Sequence, residues 1–111
     1  MGEQKPNPDY GEILRLEKML TDAGIGHRME RMADGWRLEY PAPPGKRVCT
    51  AVEYTGSYGA SIDRLELIGL LNHDERKGKN SMVGWLTAEN VADRIRRDWE
   101  RRKKRREKME S

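Results

Sequence analysis

A chain of 111 residues is one domain's worth, with room for a single modest core. Charged residues make up 37% and hydrophobic residues 35%, Phe is absent, and no apolar run approaches the roughly 20 residues that span a bilayer, so a membrane protein is not expected. The net charge of +3 conceals an asymmetry: residues 1–92 carry 12 Lys/Arg against 14 Asp/Glu, a balance of −2, whereas residues 93–111 carry 10 against 5, a balance of +5.

In chain order, residues 1–8 (MGEQKPNP) are polar and Pro-containing, show no signal-peptide pattern, and are expected to be disordered. A helix is predicted from Asp9, with Asp9 and Glu12 in a D-x-x-E capping arrangement. Ile13, Leu16, Met19, Leu20 and Ala23 recur at helical spacing along it, and Gly24 suits its end. H-R-M-E-R-M-A and W-R-L-E-Y-P flank Asp34-Gly35, which predicts two strands joined by a two-residue hairpin turn. Trp36, Leu38 and Tyr40 then share one face, while Arg37 and Glu39 share the other. Pro41-Ala42-Pro43-Pro44-Gly45 reads as a stiff loop, and R-V-C-T-A-V-E-Y (47–54) as a third strand.

After the junction Y-T-G-S-Y-G-A-S (54–61), Ile62, Leu65, Ile68 and Leu71, broadened by Leu67 and Leu70, predict a second helix capped by Ser57 or Ser61. Residues 72–81 read as a polar loop, and Met82–Leu86 as a short extended return to the core. Thr87 caps a last helix, with Leu86 stapling against Val91 and a stripe of Val91, Ile95 and Trp99. Beyond Trp99 the stripe gives way to Arg102, Lys103 and Arg106. The fold expected is α+β: a three-stranded antiparallel meander with helices packed on one face, in the order α-β-β-β-α-α, and a basic C-terminal helix. Residues 9–99 form its single domain and 100–111 a basic helical extension. Two open sheet edges make a homo-oligomer the expected assembly.

Two segments carry the candidate chemistry. In the first, Gly56 and Gly59 let the backbone turn and point amides outward, and the predicted helix adds a positive dipole end. Ser57, Ser61 and the Tyr58 hydroxyl offer hydrogen bonds, with Arg64 one turn inside the helix, so these residues form a candidate anion or nucleotide-phosphate site. The competing reading is a glycine-rich corner with Tyr58 as a packed plug. The second segment is the basic run R-I-R-R-D-W-E-R-R-K-K-R-R-E-K, ten cations in fifteen residues. Arg97, Arg101, Arg102, Lys104 and Arg105 could lie along nucleic acid there and release counterions. Asp98, Glu100 and Glu107 could equally pair with these cations on a solvated helix.

Nothing else assembles into a site. The single Cys49 excludes an internal disulfide, fits a reducing cytosol, and reads as a small buried hydrophobe with a fold-dependent partner in His27 or His73 left open. No metal-ligand spacing or cofactor motif is present, and no catalytic residue is expected. Trp36 and Trp85 could stack on a base, but each lies in an apolar pattern that more simply assigns it to the core.

Three strings are distinctive together: D-G-W-R-L-E-Y-P, C-T-A-V-E-Y-T-G-S-Y-G-A-S-I-D-R-L-E-L-I-G-L-L and V-G-W-L-T-A-E-N-V. Over roughly residues 11–96 the chain resembles small uncharacterised proteins carried by phages and prophages of Gram-positive gut anaerobes. The resemblance carries over no catalytic residue. It implies a non-enzymatic binding protein in the cytoplasm of a bacterial host, countering host defence by sequestering a phosphate-bearing signal nucleotide or by binding a defence protein. The alternative is a nucleic-acid-binding accessory protein acting through the basic helix.

Overall fold

The computed structural model describes residues 10–78 and 81–110. The predicted disorder of residues 1–8 and the Asp9 cap fall outside them. Helix α1 runs Gly11–Asp22 and ends in paired bonds from Gly24 N to Thr21 O and from Ile25 N to Leu20 O, with Gly24 left-handed at φ +72°. This is the expected glycine stop, closed by Ile25 turning back into the core. Ile13, Leu16 and Leu20 are buried, whereas Ala23 at the end of the predicted stripe is exposed.

Five strands follow, not three: β1 (Arg28–Arg31), β2 (Trp36–Tyr40), β3 (Cys49–Glu53), β4 (Leu65–Ile68) and β5 (Met82–Leu86). They form one antiparallel sheet in the order β1-β2-β3-β4-β5. The first hairpin departs from the two-residue expectation. Arg31 pairs with Trp36, so four residues, Met32 to Gly35, make the connection, closed by Met32 N donating to Gly35 O at 2.9 Å.

The predicted second helix is the main correction. Residues 60–62 make a single 3-10 turn, after which Leu65–Ile68 pairs with β3 at Ala51↔Leu67 and Thr50↔Ile68. Leu65 and Leu67 point into the core with Glu66 between them on the other face, a period of two rather than 3.6. The expected polar loop also contains a short helix, α2 (His73–Lys77), capped reciprocally by Asn72 and Glu75.

Helix α3 (Ala88–Glu110) begins as expected at Thr87, whose hydroxyl accepts from Asn90 N at 3.2 Å. Val91 and Ile95 are fully buried and Trp99 packs against the core edge. Together α1 and α3 cover one face of the sheet, on Leu38, Tyr40, Cys49, Ala51, Leu65 and Leu67. Each such aliphatic side chain contributes roughly 1.5–3 kcal/mol on burial. The opposite face holds the ion pairs of Glu30 with Arg28 and Arg37, and Arg37 Nε lies 3.5 Å from Glu39. No helix among the described residues is long and apolar enough to cross a membrane.

The helix starts are satisfied by carboxylates from elsewhere in the chain. Asp63 accepts from Glu12 N at 2.9 Å and Glu53 from Ile13 N at 3.1 Å, both at the start of α1. Glu12 in turn accepts from Ala88 N at 2.6 Å, at the start of α3. Glu53 is fully buried, and its second carboxyl oxygen has no hydrogen-bond partner among the described residues. Burial, reinforced by Asp63 and Glu12, pushes its carboxyl up to about 8.

Candidate nucleic-acid interface

The 54–64 segment closes on itself. Thr55 N donates to Asp34 at 3.2 Å, Ser57 N to Tyr54 O at 3.0 Å, Tyr58 N to Glu66 Oε1 at 3.0 Å and Ala60 N to Ser57 O at 3.2 Å. The Ser57 hydroxyl is buried and donates to Tyr54 O at 2.8 Å. These amides face the protein's own acceptors, two of them carboxylates, which repel an anion. The helix that was to supply a dipole end is absent, and Ser61 lies in the 3-10 turn instead of capping it. Arg64 lies between that turn and β4, and its guanidinium donates to Ile62 O (3.3 Å) and Asp63 O (2.9 Å). Gly56 and Ser57 therefore build the corner itself.

Tyr58 is not a plug. Its ring is about 50% exposed and stacks on Trp85, which is 60% exposed, with centroids 5.5 Å apart and planes 15° from parallel. Trp85 thus leaves the core position expected for it, whereas Trp36 packs partly buried against the core. The backbone arranges this. Trp85 adopts φ +57°, unusual for a bulky side chain, and its amide donates to Tyr58 O at 3.1 Å. Gly59 and Gly84 supply the close approach. A Cβ on Gly59 would lie 2.9 Å from both Trp85 Cα and Arg64 Cβ, and one on Gly84 would collide with Tyr58 Cβ. Of the residues predicted for a ligand site, Tyr58, Gly59 and Arg64 therefore come together, around a tryptophan the sequence pattern assigned elsewhere.

The basic residues divide between two sides of α3. On one side Arg97 and Arg101 stand 71% and 67% exposed, beside an open groove of about 880 Å³ also lined by Arg76, Arg94 and Leu70. Arg94 is committed to the fold: it holds Glu75 in a bidentate pair at 2.7 and 2.8 Å and donates to Leu70 O at 3.0 Å. That pair holds the Glu75 carboxyl below the usual carboxylate range. On the other side Arg102 donates to Asp98 at 2.6 Å, and Asp98 also accepts from the Tyr40 hydroxyl at 2.8 Å. Burial, then Asp98, pushes the Tyr40 phenol up. Arg102 thus anchors the helix, and Arg105 lies with it in a smaller groove beside Pro41 and Trp99.

Carboxylates on the inner half of α3 pair with several of these cations. Asp93 takes Arg96 and Arg97, and Asp98 takes Arg102 with Arg101 at 3.8 Å. Lys103 lies over the Trp99 ring at 5.3 Å. Among the described residues, Lys104, Arg105 and Arg106 make no ion pair, and residues 100–109 are all exposed.

Other chemistry does not assemble. Cys49 is buried, and burial raises its thiol to about 12, so it is not a thiolate. His27 is held by Ile25 O at 2.7 Å and by Glu17. Among the described residues no three His, Cys, Asp or Glu side chains are placed to hold a metal ion. No protein family, curated protein or solved structure matches the chain.

Proposed function

We propose that this protein acts by binding nucleic acid through its phosphate backbone, with α3 as the contact element. The observation that carries this reading is the outer half of α3. That half is a helix standing clear of the core, in which Lys104, Arg105 and Arg106 have no carboxylate partner among the described residues. On the groove side of α3, Arg97 and Arg101 stand exposed as further cations. A rigid row of cations at helical spacing neutralises successive phosphates and releases condensed counterions, which yields affinity without base recognition.

The test is fluorescence anisotropy with a labelled 20-mer across a salt series. Affinity should fall steeply with salt, and each phosphate-contacting cation removed should flatten the log–log slope by about 1. The triple variant Arg97→Ala, Arg101→Ala, Arg105→Ala should lower the slope accordingly. A chain truncated after Arg102 retains the Asp98 anchor, so it should melt as the full chain does while losing most of its affinity. Affinity insensitive to salt, or intact in the truncated chain, would overturn the reading.

A further inference from the structure

We infer that the Tyr58–Trp85 pair is a stacking platform for an unpaired base, which makes the protein selective for single-stranded nucleic acid; this inference rests on the binding function proposed above. Two large rings kept in water forgo the burial that usually places them inside. Here the exposure is built into the backbone. Along β5, Val83 and Leu86 pack on the core, yet Trp85 between them is turned outward by its left-handed φ of +57°. Holding a bulky residue there costs on the order of 1–3 kcal/mol. Two glycines and the Trp85 N to Tyr58 O bond then fix the rings against each other. The result is a pre-set, nearly parallel stack, exposed on both rings, that needs no rearrangement to accept a further planar group.

The occupant follows from the shape and from the charge of the chain. A flat aromatic surface suits a flat π-system, and bases provide one whatever their sequence. Arg64 borders the platform through its Cβ beside Gly59, and its guanidinium is held by Ile62 O and Asp63 O. A duplex offers no free base face, because each face is covered by its neighbours. The cationic helix would bind duplex and single strand alike, so the platform is what separates them.

The experiment compares unstructured oligothymidylate of 20 nucleotides with a 20-base-pair duplex at matched salt, for wild type and Trp85→Gly. Glycine accepts the left-handed backbone, so this variant keeps the fold while removing the ring. Wild type should prefer the single strand, with quenching of exposed tryptophan emission. Trp85→Gly should lose roughly 10-fold in single-strand affinity with its duplex affinity unchanged. Tyr58→Ala, which leaves Trp85 unsupported, should lose the preference in part. Equal, salt-steep binding of both polymers by wild type, or an unchanged preference in Trp85→Gly, overturns this inference and leaves the phosphate-binding function standing. Absence of binding to either polymer overturns both.

Discussion

Glu12, in the first turn of α1, accepts a 2.6 Å hydrogen bond from the backbone amide of Ala88, the first residue of α3, and both residues are buried. The same carboxylate receives Arg15 through its other oxygen. One side chain thus sets the start of the helix that carries the basic track and ties it to the helix lying beside it.

Replacing Glu12 by Ala leaves the Ala88 amide buried without an acceptor. An N-cap acceptor is worth about 1 kcal/mol, and a buried bond to a charged group about 1.5–3 kcal/mol. Glu12→Ala should therefore lower stability by about 2 kcal/mol, read as a lower urea midpoint with an unchanged slope. Glu12→Gln, which keeps an acceptor oxygen, should recover part of that loss.

Glu53 couples the fold to pH. In the unfolded chain a Glu titrates near 4.3, whereas burial in the native state, beside Asp63 and Glu12, holds Glu53 at about 8. Between those values the native state carries a proton that the unfolded state lacks. Its contribution is therefore complete below the lower value and is lost as pH rises through the window, by at most about 1.4 kcal/mol per pH unit. Glu53→Gln should remove this component while still accepting the bond from Ile13 N. Urea unfolding from pH 5 to 8.5 should show the stability difference between wild type and variant changing with pH. Parallel curves would refute the assignment.

Gly35 is required by crowding, not by its own φ. A Cβ there would collide with the carbonyl oxygen of Glu53 and crowd Tyr54 Cα, both backbone atoms that cannot move aside. Gly35→Ala should cost about 3 kcal/mol or prevent folding, as overpacking does at its upper end. Thermal melting by circular dichroism reads this directly.

How far the sequence carried depended on whether local pattern and tertiary packing agreed. The α1 stripe up to Leu20, the alternation of Leu38 and Tyr40, the Thr87 cap and the Val91–Ile95–Trp99 stripe name their own partners through periodicity, and each lies where the pattern puts it. In the stretch 62–71, Ile62, Leu65 and Ile68 fall three apart as in a helix, although Leu65-Glu66-Leu67 also alternates. Pairing with β3 decided between the two periods, helped by left-handed Gly69 and Leu70, which end the strand sharply. Asn72-His73-Asp74-Glu75 carried a legible capping box that the polar composition masked. Asp34-Gly35 matched a turn signal but serves differently: Asp34 accepts from Thr55, and Gly35 lets β3 come close. The Trp85 platform had no local signature, because a left-handed tryptophan follows from contacts with Tyr58, far along the chain.

The outer half of α3 carries like charges one helical turn apart. Arg101 and Arg105, and Arg102 and Arg106, stand four residues apart, where like charges oppose helix formation by a few tenths of a kcal/mol per pair. Beyond Trp99, Arg102 bonded to Asp98 and Lys103 over the Trp99 ring still tie the helix to the body, and residues 104–109 are exposed. By screening these pairs, added salt should steady the outer half of the helix rather than fray it, and a bound polyanion should do so more strongly. A bound polyanion that neutralises these charges therefore reinforces the winding of the very helix that attracts it.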